Sequence, residues 1–292
     1  MQNVLGRSSK IVKQVIKGMQ TELIISTYNN PRALELCFES LALQDYPLDS
    51  ICIADDGSGP ETKDVIDAFS IRSIVPIRHV WHPDTGFEKG AILNKSIATS
   101  TADYLIFIDG DVLIHPCFVG RHVERARAKA FNSGSLIRLN KAATDSVTLD
   151  LVRNLTVFQR GWLASQGALK DLSAWLKTAP FPQPVMSFLE WINPIRTSLC
   201  GANASCFRAD ILAVNGYDER IKYGGQDKEL GQRMKNAGFK ARTVRYSAPL
   251  VHLDHPRGYD RPEARKRNRE IRAQTKALQM KTTEFGIVKG NG

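Results

Sequence analysis

No stretch of this 292-residue chain is apolar for long enough to cross a bilayer. The first twenty residues alternate basic and apolar positions (Lys10, Ile11, Val12, Lys13, Val15, Ile16, Lys17) and lack the apolar core and cleavage site of a secretory signal. A cytoplasmic location is therefore expected, with the inner face of the membrane as a further candidate. The five cysteines, Cys37, Cys52, Cys117, Cys200 and Cys206, lack the paired spacing of a zinc site, and their odd number does not suggest a disulfide framework. Buried free thiols in a reducing compartment are expected. The first apolar run ends in Thr27-Tyr28-Asn29-Asn30-Pro31 and not in the glycine-rich turn that a dinucleotide pyrophosphate needs, which weighs against an oxidoreductase. There is no internal repeat.

What is present is an ordinary globular balance, 42% hydrophobic and 24% charged, with a formal net charge of +10. That charge admits nucleic acid, an anionic membrane face or phosphorylated substrates, and does not choose among them. Along the first half, strand and helix signals alternate. Apolar runs at 22–28, 51–54 and 104–108 and a strand near 77–81 are separated by a helical pattern carrying Leu34, Leu36, Phe38 and Leu41 and by others at about 61–69 and 88–99. Continuous apolar strands joined by helices predict a parallel sheet covered on both faces. The polar clusters Thr27-Tyr28-Asn29, Asp55-Asp56 and Asp109-Gly110-Asp111 follow strand ends, where open parallel sheets bind ligands, so they are expected to converge on one cleft. The middle, 141–193, reads as helices around a proline-rich connection, with Trp162, Trp175 and Phe188 expected as core or lid residues. Strands are expected at about 199–207, 240–246 and 249–253, a helix at about 225–237, and a basic, helical end from Arg257 onward.

Asp109-Gly110-Asp111 carries the chemistry. Two carboxylates two residues apart at an extended strand end project to one side. Such hard oxygen ligands suit Mg²⁺ or Mn²⁺, ions that also hold a diphosphate and neutralise charge as it departs. Asp55 and Asp56 read alone as a polar turn ahead of a helix. Beside the second acidic cluster they read as acceptors for a nucleotide base or ribose.

The segments IISTYNNPRALELCFESLALQDYP, ICIADDGS and HPDTGFEKGAILNKSIATSTADYLIFIDGDVLIHP resemble family 2 glycosyltransferases with the GT-A fold. NGYDERIKYGGQDKELGQRMKNAGFKA resembles the galactosyltransferase-type C-terminal segment of chondroitin-polymerase-like enzymes. The resemblance runs from about Thr21 to Arg257, more weakly through the middle, and several ordered motifs over that length are more specific than any one.

The resemblance implies a Rossmann-like, mostly parallel α/β sheet flanked by helices, with a smaller acceptor-side subregion. It divides the chain into an extension (1–20), a nucleotide-sugar half (21–140), an acceptor and catalytic half (141–256) and a basic helical tail (257–292). Donor contacts are implied for Thr27, Tyr28, Asn29, Asp55, Asp56, Gly86, Lys89, Asn94 and Asp109, and direct metal ligation for Asp111. Asp227 matches the general base. In Tyr223-Gly224-Gly225-Gln226-Asp227 the family usually carries a Glu-Asp pair, and Gln226 departs from it, which bears on acceptor choice more than on chemistry. His252, and after it His255, matches a metal-ligand histidine, and imidazole favours Mn²⁺ over Mg²⁺. Gly201 and Asn203 lie in a small-residue stretch near the acceptor, and Gly225 and Gln226 adjoin it. Trp191 is either a sugar-stacking or a core residue. The implied activity is inverting, metal-dependent transfer from a nucleotide diphosphate sugar, UDP-linked by resemblance, to a saccharide or lipid-linked saccharide of a cell-surface polysaccharide or glycolipid. An anionic membrane surface is a candidate partner through the basic tail, and nucleic acid is not an expected one. The rival is a basic nucleic-acid or anionic-membrane binding module without catalysis, which predicts steep salt dependence and no metal-dependent donor hydrolysis.

Overall fold

The apolar runs fold as a parallel sheet whose strand ends stand level, and that alignment assembles the site. A computed structural model describes residues 18–179, 181–193, 197–255 and 261–290. Most of the expected N-terminal extension and Arg257 lie outside the described residues.

The first half runs β1 (Thr21–Thr27), α1 (Pro31–Leu41), β2 (Ser50–Asp55), α2 (Pro60–Arg72), β3 (Ile77–Trp81), α3 (Lys89–Thr99), β4 (Tyr104–Asp109), β5 (Val112–Ile114), α4 (Phe118–Glu124), β6 (Ala130–Ser133) and β7 (Ile137–Arg138). Five short helices follow: α5 (Lys141–Ser146), α6 (Leu149–Arg153), α7 (Arg160–Ser165), α8 (Leu172–Lys177) and α9 (Gln183–Trp191). The remainder is β8 (Ala204–Phe207), α10 (Arg208–Ala213), α11 (Gln226–Asn236), β9 (Lys240–Thr243), β10 (Leu250–His252) and α12 (Pro262–Ala277).

The main sheet has the order β3-β2-β1-β4-β8-β6-β9. Pairings among β3, β2, β1 and β4 are parallel, and β8 runs antiparallel to both β4 and β6. Successive strand residues face opposite sides. Leu23, Ile25, Ile51, Ile53, Ile106 and Ile108 pack under α1 and α2, while Ile24, Cys52, Ala54, Leu105 and Phe107 pack under α3. Burial on both faces explains why these strands read as unbroken apolar runs. Starting residues are equally local in cause: Asn30 accepts a hydrogen bond from the Ala33 N–H while Pro31 opens α1. The five cysteines are free thiols.

The chain leaves β1 for β2 on one side and has β4 on the other, the order reversal at which open α/β sheets form a ligand crevice. In register, Thr27 pairs with Asp55 and Ser26 with Asp109. A second sheet, β5-β10-β7, is set beside this edge, with β10 antiparallel to β5 and parallel to β7.

Several expectations change. The strand expected from Leu199 starts only at Ala204, because residues 200–203 form a turn closed by Asn203 N–H to Cys200 O at 2.8 Å. The strand from Lys240 ends at Thr243, where Val244 begins a turn closed by Ala248 N–H. The basic end is helical, but its described residues are not a free tail. Asn268 Nδ2 donates to Gly224 O, Thr275 Oγ1 to Glu229 Oε1, and Asn215 Nδ2 to Thr283 O and Val288 O. The chain end thus braces α11 and the loop before it. Trp162 packs on an apolar cluster, but Trp175 and Phe188 are exposed and do not belong to the core. No helix among the described residues is long and apolar enough to cross a membrane.

Candidate active site and metal centre

Beyond the ends of β1, β2 and β4 lies a cleft of about 680 Å³, lined by Ser26 to Asn30, Asp56, Gly86, Phe87, Lys89, Asp109 to Asp111, Tyr223, His255 and Arg261. Its walls are tied together by backbone and side-chain hydrogen bonds. Asn29 N–H donates to Ser58 Oγ, and Gly59 N–H donates to Asn29 Oδ1, each at 2.9 Å. Tyr28 is half exposed, its hydroxyl donating to Asp84.

The neighbours Asp55 and Asp56 part company. Asp55 is wholly buried, and its carboxylate is consumed by the Ser58 N–H at 2.8 Å and by His79 at 3.0 Å. It shapes the turn and does not reach the cleft. Asp56 lines the cleft, meets His82 Nε2 at 2.8 Å and accepts from the Glu88 N–H at 3.0 Å. Burial holds its carboxyl above the ordinary aspartate range.

Asp109 accepts from Lys89 Nζ at 2.6 Å and Ser26 Oγ at 2.8 Å. Burial opposes both charges, yet their attraction prevails: the Asp109 carboxyl is lowered and the Lys89 ammonium is raised. Gly110 serves packing. A Cβ there would stand 3.2 Å from Ser26 O and Thr27 Cβ, so any larger residue would require β1 or the acidic turn to give by a few tenths of an ångström.

The ladder of β10 against β5 sets His252 opposite Val112, one residue from Asp111. His252 Nε2 lies 3.7 Å from Asp111 Oδ1, and His255 Nε2 lies 3.4 Å from Oδ2. One ligand atom from each of the three residues lies within 4.8 Å of the others. Asp111 Oδ1 is buried with no hydrogen-bond partner. Burial raises the Asp111 carboxyl, helped by Asp109, and burial lowers the His252 imidazolium. Neutral imidazole beside a carboxylate oxygen that lacks a partner is the donor set a divalent cation requires, and two nitrogens with one oxygen favour Mn²⁺ over Mg²⁺. The residues fit the ion.

Asp227 sits in the first turn of α11, after Gly225 in the left-handed region at φ +97°. Its Oδ1 is buried without a partner. A Cβ on Gly201 would stand 2.5 Å from that oxygen, so Gly201 supplies the space for the carboxylate. Burial raises the Asp227 carboxyl, against the pull of Lys89. Gln226 is almost fully buried, with Oε1 unpartnered.

Other sequence-predicted residues lie elsewhere. Asn94 is buried and spent on the loop before α11: its Nδ2 donates to Tyr217 O and Glu219 Oε1, and its Oδ1 accepts from Tyr217 N–H. Asn203 is fully buried, joining His122 Nε2, Ser135 O and Ala248 O. Both amides hold elements together and present nothing to the cleft. Trp191 is 80% exposed on α9 and lies outside the cleft lining. Phe87, Tyr223 and Arg261 line the cleft without having been singled out. Tyr223 takes the left-handed φ of +59° and places its ring 4.9 Å from Phe87 and 5.2 Å from the Arg261 guanidinium. Its place before two glycines was the available signal, and Arg261 had none beyond belonging to a basic run.

Residues 22–163 match the pattern of glycosyl transferase family 2, and residues 185–256 match that described as the N-terminal domain of galactosyltransferase. Among curated relatives, the chain is 22% identical over 283 residues to chondroitin synthase of Escherichia coli, covering 93% of this chain and 39% of that protein. It is 26% identical over 251 residues to validoxylamine A glucosyltransferase of Streptomyces hygroscopicus subsp. jinggangensis, covering 82% and 56%. The chain thus spans well under two thirds of the length of these relatives. Among solved structures it resembles a mannosyltransferase from Pyrobaculum calidifontis in complex with GDP-Man and Mn²⁺, with TM-score 0.55, 16% identity and coverage of 94% and 69%. It also resembles glucosyl-3-phosphoglycerate synthase from Mycobacterium tuberculosis in complex with Mn²⁺, UDP and phosphoglyceric acid, with TM-score 0.53, 16% identity and coverage of 94% and 82%.

Proposed function

We propose that this chain, whose residues 22–163 match glycosyl transferase family 2 and whose fold is that of GT-A enzymes, transfers a hexose or N-acetylhexosamine from a UDP-sugar to a saccharide acceptor with inversion. The acceptor belongs to a cell-surface polysaccharide or glycolipid. The observation that carries this reading is the Asp111–His252–His255 cluster at one side of a cleft whose other side offers Tyr28, Asp56 and Lys89.

In this reading the half-exposed Tyr28 ring offers a face to the nucleobase, and Asp56, held by His82 and the Glu88 N–H, accepts from base or ribose. Asp111, His252 and His255 would hold Mn²⁺, which would supply neutralisation of charge on the departing diphosphate. Lys89, fixed by Asp109, keeps a positive charge beside the same oxygens. Asp227 takes the proton of the acceptor hydroxyl. The acceptor oxygen bonds to the anomeric carbon as the bond to the diphosphate breaks, and the electron pair leaves with UDP. Direct displacement inverts the anomeric centre. With a UDP-α-sugar, proton NMR of the product should show a β-linkage, and an α-linkage would rule out this route.

A pH dependence follows from the direction of the Asp227 shift. The base works only when ionised, and burial raises its pKa, so its function is lost as pH falls through that raised value. The acid limb of kcat/KM for transfer should therefore lie above the ordinary aspartate value of about 4. The profile must be taken at saturating Mn²⁺, because protonated histidines release metal at low pH. A limb at the ordinary value would remove Asp227 from the role of base.

A further inference from the structure

Helix α9 is built inside out. Its buried residue is Glu190, not a hydrophobic one. Glu190 Oε2 accepts from Arg125 at 2.9 Å, and Oε1 accepts from Tyr246 N–H, Ser247 N–H and Ser247 Oγ at 3.1, 3.0 and 2.8 Å. Ser187 also accepts from Arg125, and Gln183 donates to Glu124. The polar side chains of this helix thus face the protein. Val185, Phe188, Trp191 and Ile192 recur at the spacing of one helical face and point to solvent, 39%, 55%, 80% and 50% exposed. Leu172 and Trp175 of α8 are exposed as well, at 74% and 42%. Isolated exposed apolar residues are ordinary, but a helix that spends its polar face inward and its aromatic face outward marks an interaction surface.

The charge around it selects the partner. Arg125, which anchors α9, stands near Arg127 and Arg242, and burial with these two neighbours depresses the Arg242 guanidinium. Lys177, at the end of α8, is depressed by burial and by Arg245 and Arg138. Arg245 reaches Ser173 of α8, and the next two residues bind Glu190. Arg125 is paired with Glu190, and the remaining positive charge, on Arg127, Arg242, Lys177, Arg245 and Arg138, lies near α8 and α9. A second copy of the chain meeting this face would set like charge against like charge. An anionic bilayer would satisfy both features, taking Trp and Phe into the headgroup boundary while its charge meets the arginines.

We infer that the outer face of α9, with Leu172 and Trp175, is a docking surface for an anionic lipid bilayer. The site is distinct from the basic chain end, whose helix α12 packs on α11 through Thr275 and Glu229. It would hold the enzyme beside a lipid-borne acceptor.

The test is co-sedimentation of the full chain with vesicles of phosphatidylcholine alone and of phosphatidylcholine mixed with phosphatidylglycerol. The chain should pellet with the anionic vesicles, not the neutral ones, and less so as salt rises. Val185→Ser/Phe188→Ser/Ile192→Ser should weaken vesicle binding by at least about tenfold. Its melting temperature and its donor hydrolysis should not change, because the inward contacts of α9 remain. Where the triple variant melts lower than the parent, Phe188→Ser alone serves as the probe. No binding to anionic vesicles, equal binding to neutral ones, or a variant that binds like the parent would overturn the inference. So would a parent chain that is dimeric by light scattering and becomes monomeric in the variant. Because the vesicle assay needs neither donor nor metal, its failure is separate from failure of the catalytic reading.

Discussion

Asp227→Asn should lower the rate of sugar transfer by about 10²- to 10⁴-fold, the range general-base catalysis commonly supplies. UDP and Mn²⁺ should bind as before. The amide fits the same space in the first turn of α11 but cannot take the acceptor proton. The same result is expected from a different direction. Gly201→Ala would place a methyl group 2.5 Å from the position of Asp227 Oδ1 and displace the carboxylate without altering its chemistry. Its transfer rate should fall while metal-dependent donor binding persists. Single-turnover measurements at saturating donor separate the two effects. If both variants transfer at the parental rate, Asp227 is only a first-turn acid favoured by the helix dipole.

Asp111→Ala should abolish Mn²⁺-dependent donor hydrolysis, a loss of several kcal/mol of charge stabilisation and so about 10²-fold or more in rate. Its effect on the fold should have the opposite sign from a usual core deletion. Asp111 Oδ1 is buried and unpartnered, and burial, helped by the neighbouring Asp109 charge, raises the Asp111 carboxyl. Removing it takes away an unfavourable charge, so the metal-free variant should melt no lower than the metal-free parent. Added Mn²⁺ should raise the melting temperature of the parent and leave that of Asp111→Ala where it was. Equal Mn²⁺ shifts in both proteins would place the ion elsewhere.

The half of the site carried by parallel strands was legible in the sequence. Unbroken apolar runs ending in polar clusters dictate a doubly covered sheet, and its ladder brings Asp109 level with Ser26 and Asp55 with Thr27. Position along a strand does not say which side chains find partners inside the protein. Asp55 and Asp56 are adjacent in sequence, yet one closes a turn with Ser58 and His79 while the other opens to the cleft. Asn94 and Asn203 have suitable chemistry for sugar contacts, but each is consumed by three internal hydrogen bonds. Those bonds come from residues more than 40 positions away in sequence, which no local pattern encodes. The resemblance puts His252 ahead of His255; both lie at Asp111, His252 through the antiparallel pairing of β10 with β5. The reversed polarity of α9 was hidden for a similar reason. Its amphipathic pattern is plain, but the pattern does not state which face meets the protein.

The most direct measurement is release of UDP from a panel of UDP-sugars by the full chain, with Mn²⁺ and with EDTA, no acceptor being added. Slow hydrolysis of at least one donor with Mn²⁺, lost with EDTA and lost in Asp111→Ala, is the predicted result. Absence of both hydrolysis and calorimetric binding across UDP-, GDP- and dTDP-sugars in the presence of Mn²⁺ would contradict it.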